Sequence, residues 1–183
     1  MSLGFLPMRI AWMAVALVWL SLALAGQDVP VAEPHTMGVF YYLDSDTEGL
    51  LALERQVGQV ITRSKAHGFG GVETAIWVQG AHSQVRLHAG KPGQFVFAVD
   101  PGTNPYTYVQ FFRLDIRKDT REVLQSETSG GRRLDVLNRS QVPFRVMKHG
   151  ALSFKVVLQG PLTPGEYALS TPTSQVAYTF GVD

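Results

Sequence analysis

Tyr108-Val109-Gln110-Phe111-Phe112-Arg113-Leu114-Asp115-Ile116-Arg117-Lys118-Asp119-Thr120-Arg121-Glu122-Val123-Leu124-Gln125 reads as a β-hairpin whose first strand is Tyr108–Lys118. Phe112, Leu114 and Ile116 fall on one face, and Arg113, Asp115 and Arg117 on the other. That alternation belongs to a half-buried antiparallel strand. The polar Lys118-Asp119-Thr120 then turns the chain into a second strand at Arg121–Gln125.

The same pattern continues outward in both directions. Downstream lie Val142–Met147, Leu152–Leu158, Gly165–Leu169 and Val176–Val182; Leu152, Phe154, Val156 and Leu158 share a face, as do Val176, Tyr178, Phe180 and Val182. Upstream, Met37–Leu43, Glu73–Gln79, Val85–His88 and Phe95–Val99 are strand candidates, the last two flanking a turn at Gly90-Lys91-Pro92-Gly93. Leu50–Ile61 is open to two readings. Leu50, Leu53, Val57 and Ile61 fit a helical stripe, whereas Gly58 and the β-branched residues favour a strand with a bend. Short strands at this spacing, without a long amphipathic helix, predict an all-β fold, an immunoglobulin-like antiparallel β-sandwich of about seven to nine strands over residues 37–183. A barrel is the alternative architecture. In Leu162-Thr163-Pro164-Gly165-Glu166-Tyr167, the Pro-Gly turn places Tyr167 where its ring can be buried and its hydroxyl returned to the preceding backbone.

Four short stretches carry a resemblance: Gly38-Val39-Phe40-Tyr41-Tyr42-Leu43, Val142-Pro143-Phe144, Pro164-Gly165-Glu166-Tyr167 and Tyr178-Thr179-Phe180-Gly181-Val182-Asp183. In these the chain resembles a group of exported bacterial proteins built from a signal peptide and one immunoglobulin-like β-sandwich domain. The resemblance implies that fold and export, and it implies no activity.

The N-terminus reads as an address. Arg9 precedes sixteen uncharged residues, Ile10–Ala25, that end in Ala23-Leu24-Ala25. A charged start, an apolar run and small residues at the −3 and −1 positions predict a secretory signal peptide over 1–25, followed by a linker over 26–36. The uncharged run is shorter than the roughly 20 residues that span a bilayer. A membrane contact is therefore expected only if this segment is kept as an anchor. With no cysteine in 183 residues, disulfides, thiolate chemistry and Cys-ligated metal are excluded. Export without disulfides points to a bacterial periplasmic or cell-surface protein.

Charge excludes nucleic acid as an obligatory partner, because 16 Lys+Arg are balanced by 15 Asp+Glu. The distribution is uneven, however, with ten basic against five acidic residues from Arg113 to Lys155. Arg117, Lys118, Arg121, Arg132, Arg133 and Arg139 lie in or near hairpin turns, where they form either a basic interaction patch or a solvated face that protects strand edges. Tyr41, Tyr42, Trp77, Tyr106 and Tyr108 are the candidates for a carbohydrate-stacking platform. Other chemistry is thinly represented. The five histidines show no metal-ligand spacing, Ser83 beside His82 lacks a nucleophile motif, and His67-Gly68-Phe69-Gly70-Gly71 lacks the lysine of a phosphate loop. Asp44, Asp46 and Glu48 read as a hairpin tip rather than a complete calcium loop. The expectation is a non-catalytic exported module with no cofactor, whose partner is a protein or, alternatively, a cell-envelope glycan. Its possible interaction residues are Trp77, Tyr41, Tyr106, Arg117, Lys118, Arg121, Arg132 and Arg133.

Overall fold

The computed structural model describes residues 31–47, 49–65, 71–90, 93–172 and 174–183. The expected signal peptide, and His67 to Gly70 of the glycine-rich loop, lie outside the described residues. Residues 31–183 form one compact unit. Its strands are β1 (Phe40–Leu43), β2 (Leu50–Ala52), β3 (Glu54–Val57), β4 (Gln59–Ser64), β5 (Val72–Gln79), β6 (Arg86–Leu87), β7 (Gln94–Ala98), β8 (Gln110–Arg117), β9 (Thr120–Ser129), β10 (Arg132–Asp135), β11 (Phe144–Lys148), β12 (Ser153–Leu158), β13 (Gly165–Ser170) and β14 (Val176–Val182). Among the described residues there are fourteen segments against the expected seven to nine: β2, β3 and β4 are one run interrupted only at Leu53 and Gly58, and short strands such as β6 and β10 add to the count. Leu50–Ile61 is thus extended and bent at Gly58; it forms no helix.

Two sheets build the sandwich. One is β11-β12-β7-β1-β2, and the other follows the path β3-β14-β13-β8-β9-β5-β4, with β10 added on β9 and β6 lying parallel to β14. The core between the first sheet and the β3-β14-β13-β8 portion of the second is strongly aromatic. Phe95 meets Phe180 at 4.8 Å between ring centroids and meets Phe111 edge-on at 5.6 Å. Phe40, Phe97, Tyr167, Leu169 and Tyr178 belong to the same cluster.

The second sheet also closes on itself. Its end strands β3 and β4 are consecutive halves of one segment, β3 pairing with β14 and β4 with β5. Strand β8 turns the opposite corner, because Gln110–Leu114 pair with β13 while Asp115–Arg117 pair with β9. The result is a small barrel of six walls whose interior holds Val78, Phe112, Leu114, Val123 and Ala168. Strands β8, β13 and β14 therefore serve two cores. Phe111, Tyr167 and Phe180 face the sandwich, while Phe112 and Ala168 face the barrel. Gly58 is needed at the bend, since a Cβ there would stand 2.8 Å from Ile76 Cγ2.

Two local features anchor the ends. Tyr167 is buried, and its hydroxyl donates to the Thr163 carbonyl at 2.7 Å, which is the corner expected from Pro164-Gly165. Within residues 26–36, Glu33 accepts hydrogen bonds from the Ala151 amide (3.0 Å) and the Ser153 hydroxyl (2.8 Å). The Glu33 carboxylate occupies the space that a side chain at Gly150 would need.

Candidate functional site

The outer wall of the barrel gathers most of the chemistry-bearing residues. Antiparallel register places Gln59, Trp77, Glu122 and Asp115 in one row across β4, β5, β9 and β8. Ile61, Ala75 and Leu124 form the next row. Trp77 is half-buried there, between a glutamine and a carboxylate. Arg63 grips Glu122 with both guanidinium nitrogens, at 2.7 and 2.8 Å, and Arg117 Nε reaches the same carboxylate at 3.1 Å. These hydrogen bonds, Arg63's above all, outweigh burial and hold the Glu122 carboxyl below its ordinary range. Beyond them Lys65 bridges Glu73 (2.7 Å) and Glu127 (2.8 Å), and Arg139 also binds Glu127 at 2.7 Å.

The barrel's lower end is closed by a buried ionic cluster that sequence reasoning did not find. Arg121, expected in the surface patch, is instead fully buried. Its Nη1 faces Glu166 at 3.3 Å and its Nη2 faces Glu54 at 3.5 Å. Its remaining contacts go to the Gly80 carbonyl (3.0 Å) and the Gln79 carbonyl (3.1 Å). The cause of this burial is strand phase. Arg121 shares the inward face of β9 with Val123, and Val123 is a core residue. A guanidinium so placed must find carboxylates and carbonyls, because an unpaired buried charge is costly. Glu166 also accepts from the Ser83 amide at 3.0 Å and from Arg86 Nη1 at 2.5 Å. Burial pushes Glu166 up, yet the Ser83 amide, Arg86 and His82 more than offset it and leave its carboxyl below the usual range. Glu54 is lowered likewise: desolvation opposes ionisation, and hydrogen bonds from Ser83, Gln56 and Thr179 with the Arg121 charge prevail.

The other expected residues are dispersed. Tyr41 lies half-buried in β1 of the five-stranded sheet, and Tyr106 is 67% exposed in a 3-10 turn at Pro105–Thr107. With Trp77 on β5 of the barrel, the three aromatics stand on three separate elements. The basic patch is divided as well. Arg117 and Lys118 sit at the β8–β9 turn, where Lys118 takes a positive φ of 52°, while Arg132 and Arg133 are exposed on β10 beside the far end of β9. Nine residue steps along β9 separate the two groups, about 30 Å at strand rise.

Ser83 and His82 do not form a nucleophile–base pair: the Ser83 hydroxyl meets Glu54 at 2.5 Å, whereas the His82 ring meets Glu166 at 3.2 Å. The tip after β1 is an Asx turn, with Asp44 Oδ1 accepting from the Asp46 amide at 3.0 Å and Oδ2 from the Thr47 hydroxyl. Among the described residues no group of three His, Asp or Glu is arranged to hold a metal ion. One signal of the barrel was present in the sequence. Phe111-Phe112 and Tyr167-Ala168-Leu169 are apolar on both strand faces, the mark of a strand buried on two sides. Compared with known proteins, the chain matches no family model, no curated protein and no solved structure.

Proposed function

We propose that the chain is an exported, non-catalytic β-sandwich module that acts by protein–protein contact through the β4 edge and the outer wall beside it. The observation that carries this reading is the state of β4. Among the described residues it pairs with β5 alone, and five of its six residues are exposed, including Val60 at 62% and Ile61 at 36%. A strand edge with unpaired backbone groups and exposed β-branched side chains is a template for another chain. The ordered rows of Trp77, Ile61 and the Arg63–Glu122–Arg117 ion pairs beside it supply apolar and charged contacts for side-chain selectivity. Export rests on the charged, apolar and small-residue succession of residues 9–25.

Two measurements test the two halves of this proposal. Mass spectrometry of the exported protein from a bacterial host should show a chain beginning at Gly26; an intact precursor retained with the membrane would overturn cleavage. A photocrosslinking side chain at Ile61, used in the producing organism, should yield a discrete protein adduct that the same probe at exposed Ser45 does not. Purified partner should then shift the emission of Trp77, the only tryptophan left after removal of Trp12 and Trp19. Absence of an Ile61 adduct, or equal adducts from both positions, sinks the contact reading.

A further inference from the structure

The barrel is incompletely filled. Between its walls lies a cavity of about 180 Å³, bounded by Ile76, Val78, Phe112, Leu114, Val123 and Ala168. Small barrels of this kind are normally packed solid by their own side chains. Here three adjacent walls each contribute a residue with little or no side chain, because Ala168 on β13, Ala177 on β14 and Gly58 between β3 and β4 all line the cavity. The larger residues on the other walls, Ile76, Val78, Phe112, Leu114 and Val123, line the space without closing it. At the lower end the cavity stops on Arg121, which is committed to two carboxylates and two carbonyls. The upper end is rimmed by Gln110, Gln125, Gln175 and the exposed Val60.

We propose that this cavity is a binding site for a neutral hydrocarbon group, entering past Val60 and the three glutamines and packing against Phe112, Val78 and Val123. Size and lining set the class. An apolar cavity of roughly 150 Å³ in another protein stays free of water and takes up benzene; a space of about 180 Å³ suits a group of comparable or slightly larger bulk. Void-lining side chains lack contact partners on one side, and a hydrocarbon guest supplies them. Between the apolar walls water is a poor occupant, since a buried water needs two to four polar partners and the side chains of Val78, Phe112, Leu114 and Val123 offer none. An anionic ligand is disfavoured at the floor. The Arg121 guanidinium already faces Glu166 and Glu54, so a carboxylate would have to displace one of them while meeting the charge of both. The group is either a whole small molecule or the end of an alkyl chain whose remainder lies outside the glutamine rim.

The test is methyl-resolved NMR of the full chain titrated with benzene, 1-octanol and octanoate, with Trp77 emission followed in parallel in a Trp12→Phe, Trp19→Phe background. Saturable shifts confined to the Val78, Leu114, Val123 and Ile76 methyls are expected with benzene, octanol or both. Octanol binding at least tenfold tighter than benzene assigns an alkyl chain end, and the reverse assigns a compact free molecule. Trp77 points to the outer wall, so its emission should stay constant, which separates this site from the β4 contact surface. Ala168→Leu should weaken binding at least tenfold; Ala177→Val is the milder filling variant if the first does not fold. The proposal fails if none of the probes shifts these methyls, if octanoate binds more tightly than octanol, or if binding survives both filling variants.

Discussion

Arg121 shows how one side chain can invert its role between sequence and structure. On paper it extends a basic hairpin tip; in space it is the centre of a buried cluster in which Glu166 and Glu54 meet its charge from two strands. Removing one member of such a pair leaves an uncompensated charge in the interior, a loss of about 3–5 kcal/mol. Arg121→Met should therefore lower stability by about that amount, measured by urea unfolding, and a loss below about 1 kcal/mol would contradict the ion pairing. The carboxylates add a pH signature. Glu54, Glu166 and Glu122 are all held below the ordinary glutamate value of 4.5, so each releases its proton more readily folded than unfolded. Their contribution is fully present above the unfolded value and disappears as pH falls through the lower folded values. Urea midpoints should be level from pH 7 to about 5 and fall steadily from about 4.5 downward. A midpoint unchanged at pH 3 would show that these groups do not titrate with folding.

Among the elements, the segment β2–β3–β4 has the largest structural consequence. It begins on β1 in the five-stranded sheet, passes buried Leu53, joins β14, bends at Gly58 and ends on β5. One run of about fifteen residues thus stitches both cores together along an edge. The sequence left Leu50–Ile61 open between a helical stripe and a strand bent at Gly58, and it gave no sign of the partner changes. A strand's side-chain period says which residues share a face and nothing about which strand lies beside them. Gly58 is where that freedom is lost. Its amide donates to the Gln175 carbonyl at 2.6 Å, and a Cβ would collide with Ile76. Gly58→Val should cost about 1–3 kcal/mol through overpacking of the wall, read as a lower thermal midpoint. An unchanged midpoint would mean that the barrel seam can open without penalty.

For the whole molecule, the shared strands make a statement about cooperativity. Strands β8, β13 and β14 each bury one face in the sandwich and the other in the barrel, so neither core can lose its packing while the other keeps its own. Unfolding should be a single transition, with Trp77 emission, which reports the barrel wall, coinciding with far-ultraviolet circular dichroism, which reports both sheets. Transitions separated in denaturant would mean that the barrel opens alone. The sequence by itself determined the all-β class, the β8–β9 hairpin, the Tyr167 corner and the core-facing sides of β12 and β14, because each follows from local alternation and turn chemistry. Only the tertiary structure decided that the second sheet curls into a barrel, that Arg121 turns inward to Glu54 and Glu166, and that Tyr41 and Trp77 belong to different sheets. Those outcomes depend on pairing between strands distant in the chain, and strand pairing is settled by which burial of both faces leaves the fewest polar groups unsatisfied.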